Sequence, residues 1–196
     1  MIKKVIFLFA LACYINTLTA QLTKGHWLVG GNGAFDDYTM TNSSSTINSG
    51  ITYTNIAISA DIGYFVTDKL AFGLKPTFSS SKDRDGYSNI GSTGRANLQK
   101  YWLGLFGRYY LLDKKRPYNI LIDASYQFGA LVFFRKTQDT KLRNFSLLVG
   151  PVIYLNSSVG IEFLMGYNHR INNIYTVEST DKGVQIVIGL QINLKK

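Results

Sequence analysis

The sequence predicts an all-β protein, an eight-stranded antiparallel up-and-down transmembrane β-barrel. Three observations carry that expectation. Eight segments alternate, with most bulky apolar residues on one face and most small or polar ones on the other. The composition is rich in aromatics and glycine but poor in charge. The connections between segments alternate short and long.

The composition sets the frame. The 196 residues suffice for one domain. They include 13 Tyr, 12 Phe and 18 Gly but only 3 Pro, and 17% are charged. Such usage suits many short strands in a barrel or sandwich. No run of 18 apolar residues follows the first twenty, so a membrane-spanning helix is not expected there.

Successive side chains of a strand point to opposite faces. The last segment is the clearest. Val184, Ile186, Ile188, Leu190, Ile192 and Leu194 share one face; Gly183, Gln185, Val187, Gly189, Gln191 and Asn193 share the other. The same rule holds in stretches 26–35, 55–64, 70–78, 101–109, 120–129, 144–153 and 159–167. Short connections are expected at Thr67-Asp68-Lys69, from Asp113 to Tyr118, and at Asn156-Ser157-Ser158. Long polar ones are expected near 37–51, 79–98, 135–142 and 169–182. Barrels of the outer membrane have short periplasmic turns and long outer loops. Pro76 and Pro151 lack a ladder donor and predict a bulge or a missing bond.

The faces tell which way the barrel is turned. A soluble barrel would set Lys, Glu and Thr against water on its non-core face. Here that face is Gly, Ala, Ser, Asn and Gln with few charges, which suits a narrow interior. The other face carries large aliphatics, which suits lipid. Trp27, Tyr64, Phe72 and Tyr109 are expected to form an aromatic belt near the short turns. Phe35, Phe78, Tyr101, Phe145 and Tyr167 are expected to form a second near the long loops. Two belts around an aliphatic band match two membrane interfaces.

Five charged residues fall on the inward face: Asp61, Lys75, Arg108, Asp123 and Glu162. Pairing Val66 with Leu70 would set Asp61 opposite Lys75. Pairing Leu112 with Asn119 would set Arg108 opposite Asp123. Glu162 has no obvious local partner and reaches Arg108 or Lys75 only across the lumen. Desolvated ions need partners, and eight strands enclose a bore just wide enough for side chains. A plug of ion pairs is therefore expected, with a narrow conduit as the alternative.

The remaining signals are sparse. Lys3 and Lys4, the apolar run from Val5 to Ala12, and Thr17-Leu18-Thr19-Ala20 follow the order of a secretory signal peptide. Residues 1–20 are read as that signal and 21–196 as the barrel. The single cysteine, Cys13, lies in the leader, so no disulfide or thiolate metal site is expected in the mature chain. Ala10-Leu11-Ala12-Cys13 lacks the leucine usual three positions before a lipid-bearing cysteine. The formal charge of +9 falls by two, to +7, without Lys3 and Lys4. The charges are scattered; Lys114-Lys115-Arg116 reads as a solvated turn, so no nucleic-acid partner is expected. His26 and His169 lack a nucleophile partner at close spacing, although Glu178, Ser179 and Asp181 lie on the same expected loop as His169. No catalytic residue, metal or cofactor is expected. A soluble, ligand-binding barrel is the third reading.

The chain resembles the small outer-membrane β-barrel proteins of the Bacteroidota porin family, often called PorT-like and related in architecture to the OmpX and OmpA barrels. The likeness is carried by Thr19-Ala20-Gln21, by the stretch from Lys24 to Gly31, and by the hairpin from Gly63 to Leu74. It implies export to the bacterial outer membrane, contact with outer-membrane lipid, and a last strand read by the barrel-assembly machinery. That strand departs from the usual signal: Leu194 replaces a terminal aromatic, Lys195-Lys196 follow it, and Val187 stands where a polar residue is common. Loop one after Asp36-Asp37-Tyr38, loop two around Lys82-Asp83-Arg84-Asp85-Gly86-Tyr87, and loop three with Arg135, Lys136, Lys141 and Arg143 are the expected surfaces of recognition, the last toward lipopolysaccharide phosphate.

Overall fold

A computed structural model describes residues 22–40, 51–83, 97–114, 116–133, 136–137, 140–174 and 177–195. The expected leader with Cys13, the Ser/Thr/Asn tract after Met40, the stretch from Arg84 to Tyr87, and Arg135 lie outside them.

Nine strands follow in chain order: β1 (Trp27–Met40), β2 (Ile51–Thr67), β3 (Leu70–Asp83), β4 (Asn97–Tyr110), β5 (Tyr118–Phe133), β6 (Lys136–Thr137), β7 (Thr140–Tyr154), β8 (Val159–Ile174) and β9 (Val177–Leu194). The two-residue β6 pairs only with the tip of β5. The other eight form an antiparallel cylinder in which each pairs with its sequence neighbours. The cylinder closes where β9 meets β1, with Trp27 opposite Leu194 and Phe35 opposite Ile186. Closure leaves no sheet edge.

Both prolines interrupt pairing without shifting it. Pairs between β2 and β3 pass from Ser59–Thr77 to Ile62–Leu74, skipping Pro76. Those between β7 and β8 pass from Val149–Met165 to Val152–Glu162, skipping Pro151. The bulge lies elsewhere, between Phe65 and Thr67. It corrects the expected closure of that hairpin: Thr67, not Val66, pairs with Leu70. The reason is the two-residue turn Asp68-Lys69, in which Lys69 takes a left-handed φ of 69°. The extra residue is absorbed at Val66, and the strand bodies keep the expected register. The Asp68 carboxylate accepts the Lys24 backbone N–H at 2.9 Å and the Lys114 ammonium at 3.3 Å. These two donors hold its carboxyl below the ordinary value. They tie the entry segment to two turns at the same end of the barrel.

The long loops are shorter than expected. Asn172 pairs with Ser179 and Ile174 with Val177, so most of 169–182 is strand. Residues 79–83 and 140–142 are strand as well. Past the aromatic belt neither face needs to be apolar. The alternation signal therefore fades while backbone pairing continues.

The alternation sorts the side chains as expected. Leu105 and Ile58 on the outside are 66% and 65% exposed, whereas Asp61 and Arg108 on the inside are 0% exposed. All nine residues of the two expected belts sit on the outer face. Eight are exposed, and Tyr64 is half-buried under Trp27, edge-on at 5.4 Å. Phe78 packs on Tyr101 at 5.1 Å. A soluble barrel would not leave aliphatic rows facing out around its whole wall.

The two tryptophans, Trp27 and Trp102, report the two faces separately. Trp27 is 48% exposed outside; Trp102 is 5% exposed inside, where its indole N–H donates to Ser79 Oγ at 3.2 Å. In bilayers with brominated acyl chains, the Trp102→Phe protein should lose most of its fluorescence. The Trp27→Phe protein should keep most of its own. Equal quenching of both would contradict the assignment of faces.

A second test concerns the turn. Lys69→Val should destabilise by about 1–2 kcal/mol, because a β-branched residue resists φ > 0. Lys69→Gly should leave stability nearly unchanged. The urea midpoint of unfolding from lipid reads both.

Candidate functional site in the barrel lumen

The lumen is built from one side-chain row of each long strand. Asp61 comes from β2, Lys75 from β3, Arg108 from β4, Asp123 from β5 and Glu162 from β8. The structure brings all five together. Lys75 Nζ lies 2.8 Å from Asp123 Oδ1. It lies 3.4 Å from Asp61 Oδ1, an ion pair without hydrogen-bond geometry. Arg108 donates Nε to Asp123 at 2.9 Å, Nη2 to Asp61 at 3.0 Å and Nη1 to Glu162 at 3.1 Å. One guanidinium thus engages three carboxylates on three other strands. The planar fork suits this, since its N–H groups diverge in one plane.

The register explains the convergence. Arg108 faces Asp123 directly across β4 and β5. Ile62–Leu74 and Ser59–Thr77 bracket Asp61 against Lys75. Glu162 crosses the bore to Arg108, which answers the question of its partner. It has room because Gly189 stands beside it on β9: a Cβ there would lie 2.7 Å from Glu162 Oε1. Asn32 completes the cluster by donating Nδ2 to Asp61 at 2.8 Å. The ring of Phe106 lies 5.4 Å from both Lys75 Nζ and the Arg108 guanidinium carbon.

Below the cluster, toward the short turns, the lumen is filled with apolar and aromatic side chains. Leu22, Leu28, Phe65, Tyr110, Leu121, Val152 and Tyr154 are all buried there. Tyr110 donates to Gln191 Oε1 at 2.7 Å. Leu22 enters from beneath: Lys69 N–H donates to its carbonyl at 3.2 Å, and Gly25, at φ 90°, donates to Phe65 O at 2.9 Å. Above the cluster, toward the long-loop end, the lining turns polar. Ser59, Thr77, Gln127, Asn144, Ser146, Asn168 and Gln185 surround a chamber of about 30 Å³, measured as space for the centre of a water molecule. That is room for a water or two.

Sequence reasoning missed part of this interior. Lys100, Arg170 and Asp181 are also buried and inward, in stretches read as loop or loop edge. Extending the two-residue count past the aromatic belt would have found them. Leu22 carried no signal, because it precedes the first alternating residue. The wall also separates His169 from Asp181: His169 is on the outer face beside Tyr167, while Asp181 is buried inside. Among the described residues no cluster of His, Cys, Asp or Glu could hold a metal ion.

Replacing Arg108 with methionine would leave the buried Glu162 without a cation and take one of two cations from each of Asp61 and Asp123. We expect a loss of about 3–5 kcal/mol, the cost of breaking a buried pair by removing one partner. Arg108→Lys should recover part of it, since one ammonium cannot span three carboxylates. Unfolding midpoints in urea, with folding checked by heat-modifiable gel mobility, measure both.

Neither a family model nor a curated protein sequence matches the chain. Solved structures do. Neisserial surface protein A matches at 15% identity with a TM-score of 0.57, over 85% of this chain and 96% of its own. The outer membrane protein OprG of Pseudomonas aeruginosa matches at 12% identity with a TM-score of 0.45, over 89% of this chain and 98% of its own. The first of these likenesses establishes the architecture: this chain has the fold of a small outer-membrane β-barrel.

Proposed function

We propose that the protein is an integral outer-membrane barrel with a closed lumen and a structural or surface-interaction role. The carrying observation is Arg108, fully buried and bonded to carboxylates on β2, β5 and β8. Those contacts tie opposite walls together across the bore. The apolar packing below them supports the same reading, since ions cross such a constriction at high cost. Export by the leader 1–20, membership of the Bacteroidota porin family and recognition of β9 by the barrel-assembly machinery belong to this proposal and rest on sequence motifs. The outward aliphatic rows and aromatic belts support lipid as the surrounding medium. We propose no catalytic role, since His169 and Asp181 lie on opposite sides of the wall.

Planar-bilayer recording tests the closed lumen. The purified, refolded protein should give no steady conductance steps. Repeatable unitary steps would replace this reading with the alternative of a narrow channel for small solutes or ions. Recovery in the aqueous fraction after lysis without detergent would instead support a soluble periplasmic barrel.

A further inference from the structure

The outer face carries a feature that lipid contact alone does not require. Above the belt residues Phe145 and Tyr167, basic groups gather on three adjacent strands. Lys141 and Arg143 come from β7, His169 from β8 and Lys182 from β9. The backbone pairs Phe145 with His169 and His169 with Lys182, and it pairs Arg143 with Ile171 one outward rung further out. Lys141, Arg143 and Lys182 are exposed. Among the described residues none of the three has an ion-pair partner. At comparable strand positions on β2, β3 and β4 stand Thr54, Ser80, Lys82 and Gln99, of which Lys82 alone is charged. Three exposed basic residues thus gather on β7 and β9, and the register sets one acidic residue, Glu178, on the rung of Lys141.

The same three strands carry an apolar furrow. It has a volume of about 340 Å³, and its outward walls are Val149, Pro151, Phe163, Met165, Ile186 and Ile188. It lies where Pro151 breaks the ladder between β7 and β8. The row Val149–Met165–Ile186 is two outward rungs inward of the row Phe145–His169–Lys182. Four residues of strand separate the two rows, roughly 13 Å.

We infer that this sector binds one phosphorylated acyl lipid of the outer leaflet. Lys141, Arg143 and Lys182 take the phosphate, with His169 beside them, and the furrow takes an acyl chain. Charge selects an anionic group, and its place at the outer interface selects a headgroup over a soluble ligand. The furrow beneath selects a lipid over a nucleic acid. The occupant is a phosphorylated glycolipid such as the lipid A part of lipopolysaccharide. The inference rests on the surface-interaction reading above and deepens it.

The test uses the full mature chain, refolded in zwitterionic detergent and titrated with bisphosphorylated lipid A. Native mass spectrometry reads the bound lipid. One lipid should bind per barrel, more weakly as salt rises. Lys141→Gln/Arg143→Gln/Lys182→Gln should weaken it by at least about tenfold. Lys24→Gln/Lys69→Gln/Lys195→Gln removes three charges at the opposite end and should change little. Met165→Trp, which fills the furrow, should also weaken binding. Heat-modifiable mobility shows that each variant folds. Equal retention by the rim variant, or equal binding of fully dephosphorylated lipid A, would overturn the phosphate site. Displacement by inorganic phosphate alone at micromolar concentration would overturn the acyl contribution. A barrel that conducts in bilayers would refute the closed lumen and leave this site standing, so the two failures are distinguishable.

Discussion

A backbone amide in hydrocarbon has no water to bond, and each one left unpaired costs several kcal/mol. The rest of this structure follows from that constraint. It requires β9 to return to β1, as the Trp27–Leu194 and Phe35–Ile186 pairs do. It limits proline to positions where one rung can lapse without shifting the next, as at Pro76 and Pro151. It also accounts for strands of 14 to 18 residues, longer than the 9–11 or so that a tilted strand needs to cross the apolar layer. Pairing continues beyond the lipid because it costs nothing there.

Closure alone does not say which face is inside. Slipping one strand by one residue would turn all its side chains over. The buried charges make that error expensive. A slip of β4 would move Arg108 into lipid, at about 2–4 kcal/mol near the midplane. It would also leave Glu162 without its cation, and Asp61 and Asp123 with Lys75 alone. The cluster thus acts as a register lock as well as bridging the bore. A purely apolar lumen would fill the space without distinguishing in from out.

The sequence made the wall legible and the ends obscure, for one physical reason. Within the bilayer the outside must be greasy, whereas the inside admits small, polar and charged side chains. The two-residue pattern there placed Asp61, Lys75, Arg108, Asp123 and Glu162 inward, and two of their registers followed from the turns. Outside the bilayer both faces tolerate polar residues. The pattern therefore ended near Tyr167 although β8 runs to Ile174, and Arg170 and Asp181 passed for loop. Local turn chemistry escaped too. Nothing in Thr67-Asp68-Lys69 marks Lys69 as left-handed, since no glycine stands there. Glu162 could be placed inward but not paired, because its partner is separated by 54 residues and the width of the bore.

The lumen divides into unequal halves, and the division bears on where function resides. The inner half is dry: Leu22, Phe65, Tyr110 and Tyr154 leave no exposed surface beyond 2%. The outer half is amide-lined, with a chamber for a water or two. Eight of its buried charged side chains balance, four cations (Lys75, Lys100, Arg108 and Arg170) against four carboxylates (Asp61, Asp123, Glu162 and Asp181). Among the described residues these inward charges cancel, so together they exert little net pull on a cation or an anion at a distance. Exposed Lys141, Arg143 and Lys182 stand instead on the outer face of β7 and β9, away from the bore. Electrostatic attraction of a partner acts where charge is unpaired, so on the proposed reading selection falls to the exterior surface and the lumen holds that surface rigid.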